Sequence, residues 1–309
     1  TVSVLYWEFG GMSANASNPR VTFAHLQYCL RERLWRHAQS LAHDMHSALS
    51  DFTFLLWKAY ALDREGNVAD ALREYKHCEG KRGVTTAALV GMQLIFKRNK
   101  DTEALSAISA KLEKDAQRPN FSAVTQAATL LWHAGEYTRA RELIGQVLDS
   151  EPEYRDEYTS ALTVRGWLDL SAGRGGTFAD KCLQLFDRVL QAEAVENFVD
   201  IDALLGKVAV LEKKNQFWPA QELLNKCLVA HRGFLPAMVV KARQLLRVDD
   251  WEQAADTTTS VLASDPMSVE ALILSTLNLL VREARVQAAT RTIADLIKAL
   301  QVREPRNGA

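Results

Sequence analysis

Proline and glycine are scarce in this sequence. Its 309 residues include only seven prolines and 15 glycines, the two residue types that most strongly interrupt helices. Their scarcity argues against a fold of many tight turns and leaves room for long helices. Hydrophobic residues make up 48% and charged residues 24% of the chain, as in ordinary globular proteins. The length allows one large domain or two average ones.

Long apolar runs and an excess of one charge are also missing. No run approaches the roughly 18 apolar residues that a membrane-spanning helix needs. The chain carries 37 basic and 38 acidic residues, a formal net charge of −1, whereas nucleic-acid-binding domains usually present a basic surface. We therefore expect no direct membrane insertion and no nucleic-acid ligand.

Cysteine and histidine form no metal-binding motif. The cysteines lie far apart without a C-x-x-C pair, so we expect reduced thiols rather than disulfides. Three histidines share one predicted helix, but no further ligands accompany them in the sequence, and a solvated helix face explains them. No metal site is therefore expected at the cysteines Cys29, Cys78, Cys182 and Cys227 or at the histidines His37, His43 and His46.

Catalytic and nucleotide-binding motifs are absent as well. The sequence contains no H-E-x-x-H, G-x-S-x-G or G-x-G-x-x-G. A glycine-rich stretch at residues 171–176 follows no strand pattern and precedes no G-K-[ST], so it favours a lengthened loop over a phosphate site. We expect no enzymatic activity, no catalytic residues, no cofactor and no small-molecule substrate.

An internal repeat is the main positive signal. In residues 124–152, small Ala128 and larger Leu131 fall on one helix, Gly135 permits a turn, and Tyr137 opens the next helix, where Ala140 follows. This pattern resembles the tetratricopeptide repeat of about 34 residues. Equivalent small residues of second helices recur every 33 to 42 positions, at Ala38, Ala71, Ala104, Ala140, Cys182, Ala220, Ala254 and Ala289.

Packing physics explains these residue types. Two helices approach closely only where small side chains meet at their crossing, and stacking of such hairpins buries a continuous core. The sequence therefore predicts an all-α, right-handed superhelical solenoid of about eight tetratricopeptide-like hairpins. We expect a flexible N-terminal extension at 1–20, the solenoid at 21–300, and a tail or linker to further repeats at 301–309.

A solenoid offers surface rather than a catalytic cleft. First helices of such hairpins line the concave side, where a mildly basic set with two aromatic residues suits an acidic or extended peptide. The alternative is that these are ordinary solvated or packed positions. The candidate groove contacts are Tyr60, Arg64, Trp132, His133, Lys213, Arg243 and Arg247.

Several short stretches, in this order, resemble one family. They are YCLRER at 28–33, DALREY at 70–75, LWHAGEY at 131–137, ALLGK at 203–207, FLPA at 234–237, DW at 250–251 and VEAL at 269–272. Together they resemble the N-terminal part of the intraflagellar transport protein 139 family, also called the tetratricopeptide repeat protein 21 family.

The resemblance implies a non-enzymatic subunit of intraflagellar transport complex A. Its partners would be other subunits of that complex, and its location the cytoplasm, the cilium or flagellum and the basal body. It would support retrograde, dynein-driven transport and cargo trafficking. Family members are much longer, so this chain would be their N-terminal portion.

Two other functional classes remain open at this stage. One is a generic peptide-binding adaptor such as a co-chaperone, which usually holds a terminal carboxylate with Lys and Asn side chains. Ser122, Thr125, Asp202 and Leu205 occupy the comparable places here. The other is an enzyme with a helical-repeat domain, such as a glycosyltransferase, but the repeats leave almost no room for a catalytic domain.

Overall fold

The chain is a stack of helical hairpins. The computed structural model describes residues 18–150, 155–173, 176–194 and 200–304. Within these ranges there are sixteen α-helices and no β-strand, which confirms the expected all-α solenoid. None of the described helices combines the length and apolar character needed to cross a membrane.

Each odd-numbered helix packs against the even-numbered helix that follows it, and successive pairs stack on one another. The first helices of the eight pairs are α1 (Pro19–Arg31), α3 (Phe52–Glu65), α5 (Thr85–Asn99), α7 (Phe121–His133), α9 (Arg155–Ala172), α11 (Ile201–Lys213), α13 (Leu235–Arg247) and α15 (Val269–Leu277). The second helices are α2 (Trp35–Leu49), α4 (Val68–Cys78), α6 (Thr102–Asp115), α8 (Tyr137–Leu148), α10 (Gly176–Ala194), α12 (Phe217–Ala230), α14 (Trp251–Ser264) and α16 (Val286–Arg303). A π-helical turn, Asn278–Arg282, extends α15.

The helical array is slightly longer than the sequence indicated. Helix α1 begins at Pro19 and α16 ends at Arg303, so the expected bounds of 21 and 300 fall inside helices. Residues 1–17 and 305–309 of the expected extension and tail lie outside the described ranges. The glycine-rich stretch at 171–176 overlaps the end of α9 and the start of α10, and its residues 174–175 lie outside the described ranges.

The turns inside the hairpins share one backbone feature. Each described turn contains a residue with positive φ, a conformation that favours glycine because other side chains clash with the backbone there. Only two of these residues are glycines, which is why the sequence revealed the turn at Gly135 more readily than the others. The positions are Arg33, Gly66, Lys100, Gly135, Asn215, Asp249 and Ala284.

Seven of the eight small repeat residues lie buried on second helices. Ala38, Ala71, Ala140, Cys182, Ala220 and Ala289 are 0% exposed and Ala254 is 2% exposed. Among these seven, wherever the preceding turn is described, the small residue stands five positions after the positive-φ residue.

The third hairpin requires a correction. Leu105 stands five positions after Lys100. Its backbone N–H donates to the backbone oxygen of Asp101, and the N–H of Ala140 donates to the backbone oxygen of Glu136 at the equivalent place in the fourth hairpin. Ala104, the residue expected here, is one position out of register and only partly buried. The error arose because Ala104 matched the small-residue rule while a leucine occupies the structural position.

Helical glycines form a second packing device. The ring of Phe186 on α10 lies against Gly166 on α9 and Gly206 on α11, so that a Cβ atom at Gly206 would fall 2.3 Å from the ring. Tyr75 on α4 packs in the same way against Gly91 on α5, with a corresponding distance of 2.4 Å. Large rings from second helices therefore fill spaces that glycines leave on first helices.

Helix α1 also packs against helices far along the chain. Its apolar residues Val21, Ala24 and Tyr28 join one core cluster with Leu204 and Val208 of α11. The opposite side of α1 packs within its own hairpin and on α3. The first hairpin therefore contacts both its neighbour and the sixth hairpin, so the stack closes on itself.

The end of α16 completes this closure by capping α2. The residue before α2 provides no side-chain cap. Instead the Glu304 carboxylate, which is 4% exposed, accepts hydrogen bonds from the backbone N–H groups of Arg36 (3.2 Å) and His37 (3.3 Å). Arg36 Nη1 donates to the backbone oxygen of Val302 at 3.1 Å. Capping of this kind satisfies the free N–H groups at a helix start.

Candidate functional site

The inner surface of the solenoid contains a cluster of aromatic rings. Trp132 stacks on His133 with ring centroids 4.4 Å apart and on Trp167 at 6.2 Å. Trp57 and Tyr60 also contact His133, with centroids 5.8 and 6.0 Å away. The polar edges of the indoles are satisfied, because each of the three donates a hydrogen bond within the protein.

Helix α1 covers this cluster. The Arg31 guanidinium carbon lies 4.1 Å from the centre of the Trp167 ring, and Arg31 Nη1 lies 2.6 Å from Asp202 Oδ1. His133 Nε2 is 3.4 Å from Gln27 Oε1 and donates to it. Burial, with the nearby charges of Arg31 and Arg64, lowers the pKa of His133 to about 3, so the imidazole is neutral at pH 7.

The candidate groove contacts consequently divide into two sets. Tyr60 and Trp132 are only 2% and 7% exposed, and His133 is packed between rings, so these three side chains are engaged inside the protein. Arg243 is partly buried between Glu32 (3.6 Å) and Glu270 (3.9 Å).

The other three candidate contacts are exposed side chains. Arg247 Nη1 lies 3.8 Å from Glu212 Oε1, and Lys213 Nζ donates to the backbone oxygen of Leu170 at 2.7 Å. The three are Arg64, Lys213 and Arg247.

A cavity of about 370 Å³ lies beside α1 and is lined mainly by residues of first helices. Thr125, Thr129 and Thr163 line it, together with Phe23 and Trp167. Its charged lining is mainly acidic, in contrast to the mildly basic groove that the sequence indicated. The charged lining residues are Arg20, Asp51, Asp156, Asp200 and Asp202.

Asp200 has a structural role at this cavity. Its Oδ1 accepts from the backbone N–H of Ala203 (2.9 Å) and caps α11, and its Oδ2 accepts from Thr163 Oγ1 (3.2 Å). Burial and the neighbouring charge of Asp202 raise the pKa of Asp200 to about 6. The cavity therefore combines hydroxyl groups and carboxylates with no lysine or asparagine among its described lining residues.

The three histidines that the sequence placed on one helix, α2, point in different directions. His43 is exposed, and His46 Nδ1 donates to the backbone oxygen of Asp51 at 2.9 Å. His37 instead faces α1, where His25 lies with its ring centroid 5.1 Å away. All four cysteines are buried free thiols.

The outer surface carries an unusual aromatic residue. Trp218, the second residue of α12, is 83% exposed, whereas tryptophan is usually largely buried. A second exposed apolar group lies on the last hairpin, at Ile273, Leu277, Val281 and Ile297.

Comparison with known proteins identifies the family. The family described as "Tetratricopeptide repeat protein 21 N-terminal ARM repeat" matches residues 26–255. The chain belongs to the tetratricopeptide repeat protein 21 family. Tetratricopeptide repeat protein 21B of Mus musculus is 31% identical over 285 residues, covering 91% of this chain and 21% of the relative. The chain thus spans about a fifth of the length of this relative, and the resemblance inferred from the sequence is confirmed.

Solved structures support the fold of this family member. A tetratricopeptide repeat protein from Parabacteroides merdae superposes with a TM-score of 0.54 at 18% identity, covering 83% of this chain and 94% of that chain. Yeast Tom70 gives a TM-score of 0.53 at 15% identity, covering 86% and 56%. These similarities show a helical-repeat fold of the tetratricopeptide type.

Proposed function

We propose that this chain is a non-enzymatic scaffold of intraflagellar transport complex A, which supports retrograde ciliary transport and cargo trafficking. Its partners would be other subunits of that complex, in the cytoplasm, the cilium or flagellum and the basal body. Membership of the tetratricopeptide repeat protein 21 family over residues 26–255 is the observation that carries this proposal.

The outer surface is the better candidate for partner binding. The inner aromatic residues Trp132 and Tyr60 are buried against the protein itself, whereas the side chain of Trp218 is open to solvent. Exposed tryptophan is enriched at protein interfaces, where it often contributes most to affinity. Arg64, Lys213 and Arg247 remain candidate contacts for an acidic or extended peptide.

The generic co-chaperone adaptor is less well supported. A carboxylate ligand needs cationic or amide donors, but Thr125 and Asp202 from the comparable positions line an acidic cavity. Negative charge in the cavity would repel the terminal carboxylate of a client peptide.

Affinity purification of the tagged full-length protein from ciliated cells tests this proposal. We expect recovery of complex A subunits, and we expect Trp218→Ala to reduce that recovery without changing the melting temperature. Leu49→Ala, which shortens another exposed apolar side chain (47% exposed) on α2, is the control and should leave recovery unchanged. Recovery of chaperones without complex A subunits would refute the scaffold proposal, and equal recovery with Trp218→Ala would refute the assigned surface.

A further inference from the structure

Two histidines and one cysteine meet between the first two helices. His25 and Cys29 are four residues apart on α1 and so lie on the same helix face, and His37 is the third residue of α2. One ligand atom from each, an imidazole nitrogen or the cysteine Sγ, lies within 4.8 Å of the other two. No motif could reveal this group, because its third member comes from the partner helix.

The three side chains are held close together inside the protein. The rings of His25 and His37 meet edge to face with centroids 5.1 Å apart, and Cys29 is a buried free thiol. Imidazole nitrogen and cysteine sulfur are both common zinc ligands.

Acidic and basic side chains both surround the cluster. Glu32, Glu270 and Glu304 lie near Cys29 together with Arg31, and Arg243 pairs with Glu32 (3.6 Å) and Glu270 (3.9 Å). Near His37, Arg303 and Asp265 pair at 2.6 Å. These charges largely balance, so the charge of a bound divalent ion would itself stabilise the Cys29 thiolate.

We propose that His25, Cys29 and His37 bind a zinc-class divalent ion through two imidazole nitrogens and one thiolate. Zn²⁺ is commonly held by such nitrogen and sulfur ligands. Binding forms the metal–sulfur bond as the Cys29 thiol releases one proton to solvent, and no electron is transferred. A movement of roughly 1 Å brings the ligand atoms to the separations that Zn–N distances of about 2.1 Å and Zn–S distances of about 2.3 Å demand.

Space for a fourth ligand adjoins the cluster. A cavity of about 30 Å³ is lined by His25 and His37 together with Asp265 and Glu304, which is large enough for a water molecule with several polar partners. Three protein ligands and one water complete a tetrahedral zinc site. The ion would link α1 to α2 beside the closure formed by Glu304, so its role would be to stabilise the first hairpin in its closed position.

Zinc titration of the purified chain tests the site. After treatment with a chelator, Zn²⁺ alone is added in competition with a chromophoric chelator, and Co²⁺ is used in a parallel experiment as a spectroscopic probe. We expect one tightly bound equivalent, a thiolate-to-cobalt charge-transfer band, and a higher melting temperature with zinc than without it.

Matched cysteine variants locate the ligand. Cys29→Ser is expected to weaken zinc binding by at least about tenfold and to remove the charge-transfer band. Cys227→Ser removes another buried thiol, on α12, and should leave both unchanged.

Two results would overturn the proposal. One is the absence of a tight equivalent and of the cobalt band in the wild-type chain, which decides the question even if Cys29→Ser fails to fold. The other is an equal loss of zinc binding in Cys29→Ser and Cys227→Ser, which would place the ion elsewhere.

Discussion

The stacked hairpins and the closure between their ends are built differently. Within the stack, small residues such as Ala140 and glycines such as Gly206 allow helices and rings to approach closely, and the contacting residues belong to neighbouring repeats. At the closure, Arg31 reaches Asp202 and the backbone of Arg36 reaches Glu304, across 171 and 268 residues of sequence. The side chains of Arg31 and Asp202 are only 11% and 18% exposed.

Stacking and closure are stabilised by different kinds of contact. Stacking is repetitive, local in sequence and driven mainly by apolar burial, so its stability spreads over many similar contacts. Closure adds to its apolar contacts a few polar groups that lose water when they meet, and each such group is costly if its partner is removed. We therefore expect substitutions at the closure to cause larger single effects than substitutions in the stack, and to open the superhelix before the helices melt.

Removing the buried charge of Asp202 should lower the stability more than any other substitution considered. Asp202→Asn leaves the Arg31 guanidinium without its counter-ion. Loss of one partner of a buried pair costs about 3–5 kcal/mol, and the remaining solvent contact favours the lower end of that range. Urea denaturation should report the loss of stability, and small-angle scattering should report a larger radius of gyration.

Two controls test whether the unpaired charge is responsible. The double variant Arg31→Met with Asp202→Leu removes both charges and should recover most of the stability. Glu222→Gln breaks the exposed pair with Lys226 and should leave the melting temperature unchanged. If Asp202→Asn and Glu222→Gln behave alike, the closure does not depend on the Arg31–Asp202 pair.

Replacing a glycine of the stack by alanine should change the stability less than Asp202→Asn does, and the sign of the change is diagnostic. Alanine in place of a helical glycine normally stabilises by about 1 kcal/mol. At Gly206 the new methyl group would collide with the Phe186 ring, so we expect Gly206→Ala to destabilise by about 1–3 kcal/mol through overpacking.

Gly145 on α8 is the matched control. A Cβ atom there meets nothing within 4 Å, so Gly145→Ala should show the ordinary stabilisation of at most about 1 kcal/mol. Urea midpoints of both variants measure the difference. Stabilisation by Gly206→Ala as well would mean that Phe186 moves aside easily and that the rings do not set the spacing of the stack.

The sequence predicted the stack well because its determinants are local and periodic. A small residue at the crossing, as at Ala140 or Ala220, recurs at nearly constant spacing, and apolar periodicity marks the helices on either side. Among the hairpins whose turns the structure describes, the register failed only at Ala104, where Leu105 takes the small-residue position and the pattern offered a misleading alanine. Most turns were not recognised from glycine, because non-glycine residues such as Lys100 and Asn215 adopt positive φ in them.

The candidate site was less predictable because it depends on contacts between distant repeats. Nothing local to Trp132 or Tyr60 indicates that α1 will cover them, since the covering helix is set by the curvature of the whole stack. The spacing of His25 and Cys29 on one face was visible in the sequence, but His37 became their neighbour only through the pairing of α1 with α2.

The loss of folding stability in acid that is due to His133 should be the smallest of these effects. Its measurement tests whether α1 covers the inner surface. The folded pKa of about 3 lies below the unfolded value near 6.5, so the unfolded chain binds an additional proton as the pH falls below about 6.5. Folded stability is therefore expected to decrease with acidification, by about 1 kcal/mol near pH 5.5. His133→Gln cannot gain that charge, so comparing urea midpoints of variant and wild type between about pH 7.5 and 5.5 isolates this histidine while the others titrate in both proteins. Parallel pH profiles for the two proteins would mean that His133 stays hydrated in solution and that α1 does not seal the aromatic cluster.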